Sequence, residues 1–118
     1  MKKLTVAIIG CGRIGSILED DPLRGKPCTH AGAFDAVSQT RIVAGCDINE
    51  DRLIKFGNRW QVDALFSDYK EMLRKVTPDI VSIATWTHLH SEMVKTAVRL
   101  GVKGVFCEKP IAPLFLKG

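Results

Sequence analysis

No stretch of this 118-residue sequence approaches the ~20 apolar residues that a membrane helix needs, so no spanning segment is expected. The opening MKKLTVAIIGCGRIG sets two lysines before an apolar run, as a signal peptide does. That run, Leu4 to Ile9, is too short for an h-region, and glycines and Arg13 follow at once. There is no internal repeat and no low-complexity tract. No cluster of Lys or Arg stands out along the chain, so the net charge of +4 reads as a mildly basic surface and a nucleic-acid partner is not expected. Cysteine is sparse. Cys11, Cys28, Cys46 and Cys107 form neither a CxxC pair nor a dense framework, which reads as free thiols in a cytoplasmic protein. Cys28-x-His30 and His88-x-His90 lack the tighter spacing of zinc signatures, so no metal site is expected.

What is present describes one domain of ordinary composition, with 46% apolar and 25% charged residues. Short continuous apolar runs, LTVAIIG (4–10), TRIVAGCDI (40–48), DIVSIAT (79–85) and VKGVFCE (102–108), suit strands buried on both faces. VDALFSD (62–68) is a weaker candidate for a short edge strand. Between them lie helical patterns. Residues 49–60 align Leu53, Phe56 and Trp60. Residues 68–76 align Tyr69, Met72, Leu73 and Val76 behind a capping Asp68. Residues 90–101 align Met93, Ala97 and Val98 and end on Gly101, in the place of a C-cap. This alternation predicts an α/β fold: a Rossmann-type, doubly wound, mostly parallel sheet of about five strands with helices on both faces. One segment breaks the rhythm. EDDPLRGKPCTH (19–30) has the prolines, glycine and charges of a loop, and the helical pattern resumes at 31–39.

Gly10, Gly12 and Gly15 form G-x-G-x-x-G directly after a predicted strand and at the start of a predicted helix, the context that gives this spacing meaning. Gly10 allows the turn out of the strand, Gly12 lets a pyrophosphate approach the backbone, and Gly15 lets helix and strand pack closely. The phosphates would meet free N–H groups at a helix N-terminus. The other reading is a glycine-rich turn without ligand. The second predicted strand ends at Asp47, an acid suited to the two hydroxyls of an adenosine ribose and hostile to a 2′-phosphate, which favours NAD over NADP. Gly15 and Asp47 lie farther apart than the usual ~20 residues, and the 19–30 loop accounts for the excess. Asp47 can also serve as the N-cap of the helix that follows, and the two roles are compatible.

Ligands of doubly wound sheets bind outside the carboxyl ends of the strands. At those ends stand ATWTHLHSE (84–92) and CEKP (107–110). GCGRIG, a strand-ending CD, the ATxTHLHxE segment and a strand-ending EKP, in that order, resemble the Gfo/Idh/MocA family, the glucose–fructose oxidoreductase and inositol dehydrogenase group. The resemblance covers residues 4 to 112. It implies an NAD(P)-dependent oxidoreductase that moves a hydride between nicotinamide and a sugar, polyol or related alcohol. By the same resemblance Gly10, Gly12, Arg13, Ile14 and Gly15 match the pyrophosphate loop and Asp47 the ribose acid. Ala84, Thr85, Trp86 and His90 match the segment beside the nicotinamide. Glu108 and Lys109 match the EKP motif, whose lysine assists catalysis at the substrate oxygen. Cys107 reads as a packing residue rather than a nucleophile.

Trp86 departs from the family, which usually has proline there, and the 19–30 insert is not a general family feature. Past EKP the family continues with a helix, a sixth strand and a substrate domain, whereas this sequence ends IAPLFLKG. The expectation is therefore a cofactor-binding domain over 1–118 without the C-terminal substrate domain. Alone it would bind dinucleotide without efficient turnover, and a polyol or sugar only if a second domain is supplied. Self-association is expected through the edge of the fifth strand and the apolar Leu114-Phe115-Leu116. The rival readings are a non-catalytic NAD-binding regulatory or interaction module, and a relic that binds nothing.

Overall fold

A computed structural model describes residues 3–11, 30–84 and 90–107. The first strand, β1 (Leu4–Ile9), shows how the sequence builds two layers from one run. Alternate side chains of a strand point to opposite faces. Ala7 and Ile9 enter one core and Val6 and Ile8 the other, all of them buried. The chain then runs through α1 (His30–Asp35), β2 (Thr40–Cys46), α2 (Glu50–Trp60), β3 (Ala64–Phe66), α3 (Tyr69–Val76), β4 (Ile80–Ile83), α4 (His90–Arg99) and β5 (Gly104–Cys107). The five strands make one sheet in the order β3-β2-β1-β4-β5, with every neighbouring pair parallel. The expected architecture is present: Ala31 of α1 and Leu53 and Phe56 of α2 pack on one face, and Met72 and Leu73 of α3 with Met93 and Ala97 of α4 on the other.

Helix ends follow local chemistry. Asp68 caps α3, accepting from the Lys70 N–H at 2.9 Å. Gly101, at φ 89°, turns the chain after α4, and the Val102 N–H reaches back to the Ala97 carbonyl at 3.1 Å. That is the backward bond of a Schellman ending, which a glycine without Cβ makes cheaply. The amino ends of three strands are fastened by one acid. Asp79 accepts at Oδ2 from the Thr5 N–H (2.9 Å) and hydroxyl (3.2 Å), its carbonyl accepts from the Lys103 N–H (2.9 Å), and its Oδ1 lies 3.6 Å from the Lys103 ammonium.

The structure corrects four expectations. Val98 is 62% exposed, and Val94 rather than Val98 joins Met93 and Ala97 against the sheet. A helix of ten residues presents only one stripe to a flat layer, and Val98 lies beyond its edge. The first described helix stops at Asp35 instead of running to 39, where Thr40 Oγ1 donates to the Phe34 carbonyl at 2.7 Å. The second strand closes at Cys46, two residues early. The cap of α2 is Asn49 rather than Asp47: its side chain accepts from the Arg52 N–H at 3.1 Å. β5 stands at the end of the strand order, as expected, and Leu114-Phe115-Leu116 lies outside the described residues. Among the described residues no helix is long and apolar enough to cross a membrane.

Candidate functional site

The carboxyl ends of β1, β2 and β4 are each prolonged by one further backbone bond. Gly10 N–H donates to the Cys46 carbonyl (2.8 Å), Ala84 N–H to the Ile9 carbonyl (2.7 Å) and Asp47 N–H to the Phe66 carbonyl (3.1 Å). Gly10, Asp47 and Ala84 are thus held by the sheet rather than by loops of their own. Between β1 and β4 the sheet changes direction, because β1 connects onward to β2 on one side and β3 returns to β4 on the other. Such a switch point leaves a crevice beyond the strand ends, where α/β sheets take their ligands.

Gly10 turns the chain there at φ 94°, in the left-handed region that favours glycine. The next residue ties the turn to β2. Cys11 N–H donates to Asp47 Oδ2 at 2.8 Å, and Asn49 N–H donates to Asp47 Oδ1 at 2.8 Å. A carboxylate oxygen accepts two hydrogen bonds. Among the described residues each oxygen of Asp47 therefore keeps one acceptor position, and the pair suits two neighbouring hydroxyls. Ile48, the next residue, is 94% exposed, an apolar side chain presented beside that acid. Glu50 and Asp51 occupy the first turn of α2, and no basic residue stands between Asp47 and Arg52. Together with Asp47 they make the rim of β2 acidic.

Cys11 and Cys46 lie under this edge, both buried and free, with Cys11 Sγ directed at the Cys46 carbonyl at 3.6 Å. Burial, and then the Asp47 charge, push the Cys11 thiol far above its ordinary range. Burial, then Asp47 and Asp68, push Cys46 up to about 12. Both stay protonated and serve packing, not nucleophilic chemistry. Cys107 packs against the core on the α3–α4 face, in line with the reading given to it.

Of the residues matched to a site, Gly10, Asp47 and Ala84 come together through these backbone bonds. His90 opens α4 and is buried. Gly12, Arg13, Ile14, Gly15, Thr85, Trp86, Glu108 and Lys109 lie outside the described residues, as does most of the 19–30 loop. Ile48 was not singled out from the sequence. Its one signal was an apolar residue placed directly after a strand-ending acid.

The sequence profile of the Gfo/Idh/MocA group, described as an oxidoreductase family with an NAD-binding Rossmann fold, matches residues 4–116. The chain belongs to this family. The inositol 2-dehydrogenase of Gluconacetobacter diazotrophicus is 34% identical over 110 residues, 92% of this chain and 29% of that protein. The myo-inositol 2-dehydrogenase of Thermotoga maritima is 29% identical over 109 residues, again 92% of this chain and 29% of the relative. The chain therefore spans about 29% of the length of these curated relatives. In fold it is similar to the scyllo-inositol dehydrogenase of Lactobacillus casei solved with NAD(H) and scyllo-inositol, with a TM-score of 0.77 and 24% identity over 93% of this chain and 29% of that one. The match of this family to the chain makes the carboxyl edge described above part of an NAD-binding Rossmann domain.

Proposed function

We infer that this chain is the cofactor half of a dehydrogenase acting on a polyol or sugar, and that it prefers NAD to NADP. The observation that carries the reading is Asp47. Its carboxylate sits at the end of β2, is aligned by the Cys11 and Asn49 N–H groups, and keeps one acceptor position on each oxygen. Those positions take the adenosine ribose hydroxyls. Asp47, Glu50 and Asp51 together repel a 2′-phosphate, and Ile48 offers the apolar surface a purine ring covers. Gly10 brings the backbone round towards the pyrophosphate, and Gly12, Arg13, Ile14 and Gly15 complete that loop by family resemblance. By the same resemblance Ala84, Thr85, Trp86 and His90 are assigned to the nicotinamide side, and Glu108 to the EKP motif.

When bound, NAD supplies the hydride acceptor or donor. The chain's own contribution to chemistry is Lys109, which polarises the reacting substrate oxygen and takes or returns its proton. Polyol as the substrate class follows from the inositol dehydrogenases to which the chain is similar. For these 118 residues by themselves, binding without efficient turnover is the behaviour proposed.

The test is a calorimetric titration of the 118-residue protein with NADH and, separately, NADPH. Saturable NADH binding, weakened about tenfold or more by Asp47→Ala, supports the reading. Tighter binding of NADPH sinks the role given to Asp47. No binding of either by folded protein favours the relic over the cofactor domain.

A further inference from the structure

The cations of this chain look scattered in sequence, yet folding gathers four of them. Helices α3 and α4 lie side by side on one face of the sheet, and the groove between them, roughly 600 Å³, is lined by Lys70 and Arg74 from α3 and by Lys95 and Arg99 from α4. Each pair is spaced i,i+4, so each helix presents two cations stacked along one side. Among the described residues Glu92 is the one acid lining the groove, and it is already engaged by the Lys70 ammonium at 3.5 Å and the Tyr69 hydroxyl at 3.3 Å. Among the described residues, Arg74, Lys95 and Arg99 meet no carboxylate within ion-pair distance. All four cations are exposed. Three net positive charges thus stand in one groove of a protein whose whole sequence carries +4. Arg74 and Arg99 stand in the last turns of α3 and α4, where the helix dipole favours a cation, but the like charges at i,i+4 on each helix cost stability.

We propose that the α3–α4 groove is a docking surface for an acidic segment of a partner protein. The spacing fits such a segment. A helix bearing carboxylates at i,i+4 repeats the spacing of the two cation rows, so one acidic face can lie along both. Arg74 and Arg99 can each grip a carboxylate through two parallel N–H bonds. Leu100, 41% exposed at one end of the groove, gives the apolar side of such a segment a contact. A nucleic-acid strand fits less well. Among the described residues no aromatic side chain lines the groove for a base to stack on, and Glu92 opposes backbone phosphates. The groove runs along the flank of the sheet between the two helices, and Arg74, Lys95 and Arg99 are not among the residues proposed for the dinucleotide crevice.

The experiment is fluorescence anisotropy on the full chain with three probes: a short alanine-based peptide carrying glutamate at every fourth position, a labelled single-stranded oligonucleotide, and inorganic phosphate as competitor. The expected result is peptide binding that weakens with rising salt and drops about tenfold or more in an Arg74→Glu, Lys95→Glu double variant. NADH binding by the variant stays unchanged. Should that variant fail to fold by circular dichroism, Lys95→Gln with Arg99→Gln carries the same test, with a smaller drop expected. Absence of peptide binding, or binding indifferent to these substitutions, overturns the proposal. Oligonucleotide binding tighter than peptide binding reassigns the groove to nucleic acid. Displacement of the peptide by low phosphate concentrations reassigns it to small anions.

Discussion

The backbone N–H of Cys11 donates to Oδ2 of Asp47 at 2.8 Å, joining the first turn after β1 to the end of β2 across 36 positions of sequence. Cys11 is fully buried, so that N–H has no water to fall back on. Replacing Asp47 with Ala should therefore destabilise the protein by about 1–3 kcal/mol even without ligand. Asp47→Asn, which keeps one oxygen acceptor, should cost less. Urea unfolding of the three proteins checks this, and equal stabilities would mean the bond contributes nothing net.

Ile48 stands beside Asp47 on the exposed rim of the proposed cofactor crevice. Ile48→Arg places a guanidinium where a 2′-phosphate would lie. The ratio of NADPH to NADH affinity should rise about tenfold, read by calorimetry. An unchanged ratio would remove Ile48 from the site.

Gly45 in β2 lies directly under the ring of Phe56, and a Cβ added at Gly45 falls inside van der Waals contact with that ring. Phe56 is fully buried and has nowhere to retreat. Gly45→Ala should cost about 1–3 kcal/mol by overpacking. Combined with Phe56→Leu it should cost less than the two single changes added together, because the smaller side chain makes room. Strict additivity in the unfolding free energies would contradict the clash.

Stability should fall on both sides of neutrality, for opposite reasons. Cys46 is raised from 9.0 to about 12 in the folded protein, mainly by burial. Between those values the folded chain keeps a proton that the unfolded chain has lost, so stability declines as pH rises through about 9 towards about 12. Asp79 is lowered below 3.8, first by the bond from the Thr5 backbone. Its contribution is complete above the unfolded value and is lost as pH falls through the lower folded one. Urea unfolding across pH, under reducing conditions, reads both arms. Asp79→Asn should flatten the acid arm, and Cys46→Ala should make the alkaline arm shallower, with the share of Cys11 remaining.

The layered α/β plan was legible because it is written locally. The run LTVAII, the Asp68 cap and the Gly101 ending each declare themselves within a few residues. The strand-ending acid was legible too, since its place after a strand follows from pattern alone. What Asp47 does with its oxygens was not. Its partners are a backbone amide far along the chain and one two residues on, and Asn49, rather than Asp47, won the helix cap. The α3–α4 cations were hidden for a similar reason. Two rows on separate helices become one patch only once Met72, Leu73, Met93 and Ala97 seat both helices on the same face. Val98 has the sequence spacing of the buried stripe but lies beyond its edge, 62% exposed, a difference that only the packing of α4 on the sheet decides.

The strand order has a consequence for how the molecule hangs together. β1 is bonded to β2 on one side and to β4 on the other, and among the described residues no other strand joins the two halves. Take it away and the sheet falls into two ribbons, β3-β2 and β4-β5, with no ladder between them. β1 is thus the keystone: each half must find it separately, and the crevice exists only after both have.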